Sequence, residues 1–430
     1  MRPVSDRQRL RLFLAVGLVV AAVSVAEGHS QTTDAATQRN IVVVMTDDQA
    51  ADSVPVMRRL MSFPEGAWVR FTNAYAEDSL CCPSRSGVLS GQYSHHHGVF
   101  NNTMGAKFND ANALPVWLDN AGYRTGLVGK YLNGYPWDKG AGYIPPGWDF
   151  FRTSVGDTDG HSAAAVNFIN TSTGPFFLYL AYRAPHRPAK PPTRYVNANV
   201  YIPPQSVNMN EADVSDKPTW IRNLARLTQS QISAERNERL NSQRALLAVD
   251  DGIQQVINAL KAKGVLDNTL VIFLSDNGFS FGSHRHIGKW CVYEECGRVP
   301  LFVRYPGLTG NRHEPRLAST VDVPATILAY AGVPPGLPQD GRSLIPLITN
   351  TATGWTNELL LEAHISNLKT FYAIRAPGWT YAEYKNGEKE LYDLAADPAQ
   401  LQNQANKPAY QARQSALSER LRVLRNGASF

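Results

Sequence analysis

Asn40-Ile41-Val42-Val43-Val44-Met45-Thr46 is a continuous apolar, largely β-branched run that stops at Asp47-Asp48. It shows no polar/apolar alternation, so a strand formed from it must be covered on both faces, as in a parallel sheet flanked by helices. Phe176 to Ala181, Thr269 to Leu274 and Val299 to Arg304 read the same way, and Arg124 to Val128 is a shorter strand. Helical segments fall between them, near Val54 to Met61, Leu114 to Ala121, Ser233 to Lys263 and Val321 to Tyr330. In the longest, Leu246, Leu247, Val249, Ile253, Val256, Ile257 and Leu260 recur at helical spacing, and Gly264 closes it. Strands alternating with helices predict an α/β fold, a large mixed, mainly parallel sheet sandwiched by helices.

The end of the chain differs. Phe371 to Ile374, Thr380 to Tyr384 and Glu390 to Tyr392 read as short strands joined by turns, Lys385-Asn386-Gly387 among them, followed by a helix from Pro408 to Arg425. They predict a smaller C-terminal antiparallel sheet with one helix. The proline- and glycine-rich stretch Gly332 to Gly341 is the expected boundary, between a large unit at 38–335 and a small unit at 342–430. There are no internal repeats.

The first 26 residues are read separately. Arg2, Arg7, Arg9 and Arg11 precede an apolar stretch, Leu12 to Val25, which ends in small residues at Ser24-Val25-Ala26. That is the pattern of a secretory signal peptide, too short for an ordinary membrane span. The formal charge of +5 for the 430 residues falls to +2 without residues 1–26, so nothing points to nucleic acid as a partner. The expected location is secreted or exported: periplasmic or extracellular, or lysosomal in a eukaryote. No stable membrane insertion is expected after cleavage. Asn101-Asn102-Thr103 and Asn170-Thr171-Ser172 are glycosylation sequons, meaningful only in a eukaryotic secretory pathway. Four cysteines are too few for a disulfide scaffold. Cys291 and Cys296 are close enough to pair, though spacing does not settle their geometry.

Asp47 and Asp48 follow one buried strand, and Asp276 and Asn277 follow another. In an open α/β sheet, ligands bind beyond the carboxyl ends of the strands. Three carboxylates and an amide at that edge are hard donors, which suit Ca2+ or Mg2+ better than zinc. The run Leu80-Cys81-Cys82-Pro83-Ser84-Arg85-Ser86-Gly87-Val88-Leu89-Ser90-Gly91 adds a helix entrance. Pro83 suits a first helical turn, Cys81 faces the positive end of the dipole, and Arg85 lies one turn on. This is an arrangement for holding an oxyanion.

The C-x-P-S-R-x-x-x-L-S-G pattern of this run resembles the signature of the type I sulfatases. The resemblance implies an alkaline phosphatase-like fold and conversion of Cys81 to formylglycine by a separate formylglycine-generating enzyme. It also implies a divalent metal, most often calcium, at Asp47, Asp48, Asp276, Asn277 and the modified Cys81. Lys130 in Gly129-Lys130-Tyr131-Leu132-Asn133, His186 in Ala184-Pro185-His186 and Lys289 in Gly288-Lys289-Trp290 match family positions that contact the sulfate. Many members carry a histidine shortly after the first of these lysines, where this chain has Leu132 and Asn133. His284 sits where members have a G-x-H element. His95-His96-His97 reads as a solvated loop after the signature helix. The closing Glu390-Leu391-Tyr392-Asp393-Leu394 and Asp397-Pro398 are a familiar phrase of the same family.

The mechanism implied is attack of a formylglycine hydrate on sulfur, with Arg85, Lys130 and Lys289 around the sulfate and His186 or Lys289 aiding the leaving alcohol. The C-C-P-S-R and K-Y-L-N forms and the asparagines after the histidines resemble N-acetylglucosamine-6-sulfatases, so a sulfated sugar or small sulfated molecule is the expected substrate. An arylsulfatase of broad specificity, a phosphoester hydrolase of the same superfamily and a non-catalytic binder are the alternative readings.

Overall fold

The computed structural model describes residues 39–62 and 68–425; the expected signal peptide lies outside them. Asn40–Thr46 is buried along its whole length, at the middle of a nine-stranded sheet. Across that sheet the strands run Arg312–Glu314, Trp68–Tyr75, Arg298–Arg304, Thr269–Ser275, Asn40–Thr46, Phe176–Ala181, Arg124–Gly129 and Phe150–Arg152, with Ala318–Ser319 also pairing with Trp68–Tyr75. Asn40–Thr46 pairs in parallel with both neighbours, and the strands out to Phe150–Arg152 continue in parallel. Arg298–Arg304 runs antiparallel to the strands on either side of it. The sheet is thus mixed and mainly parallel, as expected.

Helices cover both faces. On one, Leu246, Val249, Ile253 and Ile257 of helix Gln229–Ala262 share a core with Val42, Val44, Leu178 and Phe273. On the other, Leu118, Val323 and Ile327 pack with Ile41, Val43, Phe177 and Ile272. The long helix starts four residues before its expected first residue, Ser233. Thr228 and Gln231 exchange side-chain and backbone hydrogen bonds there, a capping box that satisfies two otherwise free N–H groups. The helix expected near Val54 to Met61 is instead two pieces, a 3-10 turn at Ala51–Val56 and a helix at Arg58–Ser62. Pro55 has no N–H to continue the first, and the Asp250 carboxylate accepts from Arg59 and Leu60 N–H to start the second.

The C-terminal sheet is antiparallel in the order Leu359–Ala363, Phe371–Ala376, Trp379–Tyr384, Lys389–Asp393. Helix Gln411–Leu424 covers one face, with Leu417 and Leu421 against Leu360, Ile374 and Leu391. Among the described residues no helix is long and apolar enough to cross a membrane.

Where the two sheets meet, Glu77, Asp78 and Glu362 are all buried. Burial pushes the Glu77 carboxyl up to about 8, against the hydrogen bond it accepts from Thr320. Burial acts on Glu362 too, but hydrogen bonds from His364 and His95 outweigh it and hold that carboxyl at about 2. The two act with opposite sign on stability. Unfolded, Glu77 loses its proton near 4.5, whereas the fold keeps the proton to about 8, so its contribution to stability weakens as pH rises between those values. The contribution of Glu362 is present above about 4.5 and is lost as pH falls toward 2. Thermal melts between these limits are expected to peak near about pH 5, and Glu77→Gln is expected to flatten the decline above it.

Candidate active site

Parallel pairing sets Thr46 opposite Ser275, so Asp47-Asp48 and Asp276-Asn277 leave the sheet side by side. Asp48 N–H donates to Asp276 Oδ1 at 3.0 Å, and Asn277 Nδ2 donates to Asp48 Oδ1 at 2.7 Å. Asp48 has a φ of 62°, a left-handed conformation that Asp tolerates better than most residues. Gln49 pins the turn: its N–H donates to Ser275 Oγ at 2.9 Å, and its Oε1 accepts from Thr46 Oγ1 at 2.7 Å.

Cys81 opens the helix Cys81–Ser90, and Pro83 stands in its first turn. Leu80 at the N-cap has no polar side chain to offer, so Asn102 Oδ1 accepts from Cys82 N–H at 2.9 Å instead. Asn102 was legible as part of a sequon and of the resemblance after the histidines; its contact with the helix is tertiary and leaves no local signal. Cys81 Sγ lies 3.4 Å from Asp47 Oδ1 and 3.7 Å from Asp48 Oδ1. Lys289 Nζ is 2.6 Å from the same sulfur and is also paired with Asp48. Arg85, one turn along, is buried. Its Nε donates to Asp276 Oδ2 at 2.8 Å, and its Nη2 lies 3.7 Å from Asp47 Oδ2. Lys130 Nζ is 2.6 Å from Asp47 Oδ2, and its carbonyl accepts from Arg85 Nη1 at 3.1 Å. His186 Nε2 stands 3.6 Å from Asp48 Oδ2, on a turn closed by His186 N–H to the Arg183 carbonyl at 2.8 Å.

Gly129 is what lets Lys130 reach this point. Its φ is +102°, and a Cβ there would stand 2.0 Å from the Ala181 carbonyl oxygen. Gly129→Ala is expected to destabilise the fold by about 2–4 kcal/mol and to lower turnover through Lys130, read by chemical denaturation beside kinetics.

Lys289 lies on the loop after the two-residue strands Ser280–Phe281 and Ile287–Gly288. His286 Nε2 bonds its carbonyl at 2.9 Å, and the Cys291–Cys296 disulfide closes the next turn. The pairing left open by the spacing is therefore made, and Cys81 and Cys82 are the free cysteines. His284 is not brought to the cluster. Its buried ring stacks on Tyr293, with Nδ1 at 2.6 Å from Glu211 Oε2 and Nε2 at 3.1 Å from Asn208 Nδ2. Nor is the histidine triplet a solvated loop. It forms the short helix Ser94–His97, where His95 bonds Glu362 at 2.8 Å and His96 bonds Asp340 at 2.7 Å.

Burial alone would raise the Asp47 carboxyl, but Lys130, Arg85 and Lys289 outweigh it and hold it well below the ordinary range. Burial, with Asp47 and Asp276, pushes the Cys81 thiol well above its ordinary value. Two buried oxygens, Asp48 Oδ2 and Asn277 Oδ1, have no hydrogen-bond partner. Asp47, Asp48, Cys81 and His186 bring ligand atoms within 4.8 Å of one another. The carboxylates Asp47, Asp48 and Asp276 face the cations Arg85, Lys130 and Lys289, so a divalent cation would turn a formally neutral site into one of net charge +2. Hard donors, orphaned oxygens and this balance fit a divalent metal ion beside a bound oxyanion.

The family model named Sulfatase matches residues 39–333, and the one for the C-terminal part of N-sulphoglucosamine sulphohydrolase matches residues 282–427. The chain is 30% identical to the N-acetylglucosamine-6-sulfatase of Homo sapiens over 399 residues, covering 82% of this chain and 70% of that one. It is 28% identical to the N-acetylglucosamine-6-O-sulfatase of Bacteroides thetaiotaomicron over 504 residues, 94% of this chain and 89% of that one. It spans about half, 52%, of a Caenorhabditis elegans homologue of extracellular sulfatase Sulf-1, at 29% identity. Among solved structures, BT4656 in complex with its substrate D-glucosamine-2-N,6-O-disulfate superposes with a TM-score of 0.77 at 25% identity, over 90% of this chain and 98% of that one. Matched by the family model over most of its length, with its cysteine, carboxylates and cations gathered at one sheet edge, the chain belongs to the sulfatase family.

Proposed function

We propose that this sulfuric ester hydrolase cleaves the sulfate ester of a sulfated sugar of the N-acetylglucosamine-6-sulfate type, after export. The observation that carries the reading is the meeting of Cys81 with three carboxylates and three cations at one sheet edge. The names of the human and Bacteroides relatives support the choice of sugar. The reading includes an N-terminal signal at 1–26, a catalytic unit at 38–335 and a C-terminal unit at 342–430.

Asp47, Asp48, Asp276 and Asn277 would hold the divalent ion, Ca2+ ahead of Mg2+, which supplies Lewis-acid stabilisation of charge on the sulfate. Cys81 would be converted by a formylglycine-generating enzyme to an aldehyde, whose hydrate supplies one hydroxyl to attack sulfur and a second to expel sulfate. Arg85 and Lys130 hold the sulfate oxygens, their charges fixed in a buried site where no solvent need reorganise. Lys289 Nζ, which already touches Cys81 Sγ, stands where a proton is exchanged with the group on residue 81. His186 Nε2, half-exposed beside Asp48, faces the leaving alcohol and gives it a proton.

This assignment predicts a dependence on the leaving group. His186→Ala is expected to lower kcat about 10²–10⁴-fold for an alkyl sulfate such as N-acetylglucosamine-6-sulfate. The loss should be much smaller for 4-nitrophenyl sulfate, whose leaving group departs without a proton. Equal losses on both would remove His186 from the role of acid. A screen of sulfated glycans for released sulfate, run beside matched aryl sulfate and aryl phosphate esters, tests the activity itself. Faster turnover of the phosphate would favour the phosphoester hydrolase reading.

A further inference from the structure

We propose that the cavity beside His186 is a second anion subsite, which takes a carboxylate or a second sulfate of the sugar whose ester is cut. It rests on the sulfated-sugar reading above. The cavity measures about 310 Å³ and is lined by Asp157, Thr158, His161, Arg183, His186 and Lys190, among others. His186 belongs to both places, since its Nε2 is 3.6 Å from Asp48 Oδ2, so a substrate whose ester lies at Cys81 has this cavity next to its leaving side.

Three independent features make it suited to an oxyanion. The first is charge. Arg183 and Lys190 are exposed, and among the described residues neither side chain has a hydrogen-bond or ion-pair partner. Arg187, in the same segment, is by contrast bound by Glu235 at 3.0 and 2.9 Å. The second is the helix Thr158–Thr171, whose N-terminal residues Asp157 and Thr158 line the cavity. The positive end of its dipole favours anions, although the Asp157 side chain already takes the Gly160 N–H. The third is His161. It is 2% exposed, lines the cavity, and its Nδ1 has no hydrogen-bond partner. His161 therefore brings a hydrogen-bonding ring with one nitrogen still unpartnered to the wall of the cavity. The Asp157 carboxylate lines the same cavity and opposes an anion. One of its oxygens is engaged by Gly160 N–H at 3.1 Å, and the two unpaired cations outnumber it.

The ligand is therefore an oxyanion carried on the sugar. A uronic acid next to the sulfated residue and an N-sulfate on it are its two sources. The test uses the full, matured chain and the double variant Arg183→Ala/Lys190→Ala. The probes are 4-nitrophenyl sulfate, N-acetylglucosamine-6-sulfate, glucosamine-2-N,6-O-disulfate and a 6-sulfated disaccharide bearing a uronic acid. For at least one of the last two, the double variant is expected to raise KM about tenfold with kcat within about twofold. Constants for the first two probes should stay within about twofold. A KM rise on the disulfate alone assigns the subsite to sulfate, and a rise on the disaccharide alone assigns it to carboxylate. An equal rise on all four probes, or none on the doubly charged pair, overturns the subsite while leaving the sulfatase reading standing. Absence of turnover of every sulfate ester by the unaltered, matured protein would overturn that reading, and the subsite with it.

Discussion

Cys81→Ala loses sulfate release by roughly 10⁴-fold or more, and Cys81→Ser, or the chain made without its maturation enzyme, loses nearly as much. Cys81 Sγ is the atom toward which Asp47, Asp48 and Lys289 converge, which is why the proposed mechanism carries the attacking group there. The thiol itself is a poor candidate. Burial, with Asp47 and Asp276, favours its protonated form, and a sulfated thiol offers no second hydroxyl to expel sulfate. Cys82 is the internal control. It is equally buried, but its contact with the site runs through its backbone N–H, bonded to Asn102 at 2.9 Å. Cys82→Ala should keep turnover within about tenfold of the parent and register mainly as a loss of about 1–2 kcal/mol in stability. A protein in which the two substitutions had equal kinetic effect would contradict the placement of the nucleophile on residue 81.

Removal of the divalent ion is expected to lower kcat by roughly 10³-fold or more while the fold survives. The reason is the charge balance. Asp47, Asp48 and Asp276 have Arg85, Lys130 and Lys289 to fall back on, so ion loss leaves no uncompensated buried charge. The stability lost is then only the binding linkage, about 2.7 kcal/mol for an ion at a hundred times its Kd. Arg85→Met separates the two effects from the other side. It strands Asp276, bonded at 2.8 Å and buried, and should cost about 3–5 kcal/mol with the ion present. Dialysis against a chelator, followed by kinetics, thermal melts and back-titration with Ca2+ or Mg2+, reads both. Undiminished turnover after chelation would remove the ion from the site.

The centre of the fold was legible because its strands are apolar throughout. Asn40–Thr46, Phe176–Ala181 and Thr269–Ser275 carry their burial in their composition, and the oxygen ligands proposed for the ion follow two of them directly. Trp68–Tyr75 was not read as a strand. Arg70, Thr72 and Asn73 interrupt it, and its pairing is irregular between Phe71 and Ala74. Leu359–Ala363 was missed because Glu358 and Glu362 around a leucine triplet suit a helix as well as a strand. Its buried Glu362 is explained only by His95 and His364. Helix Thr158–Thr171 was hidden by small residues, Ala163, Ala164 and Ala165 among them, which give little apolar periodicity. In the site, each chemically active residue sits just after a strand, in a fixed loop or at a helix entrance, which is why the sequence exposes them. What it does not expose is how they pair. Arg85 could be placed one turn from Cys81, yet its bond to Asp276 depends on a segment almost two hundred residues away. The engagement of His284 with Glu211 and Asn208 is of the same kind.

The chemical state of residue 81 decides the mechanism. Trypsin cuts after Arg70 and after Arg85, so Phe71 to Arg85 comes away as one peptide holding both Cys81 and Cys82. Mass spectrometry of that peptide, from active protein alkylated after reduction, is predicted to show formylglycine at position 81 and an alkylated thiol at position 82. Alkylated thiols at both positions in fully active protein would contradict it.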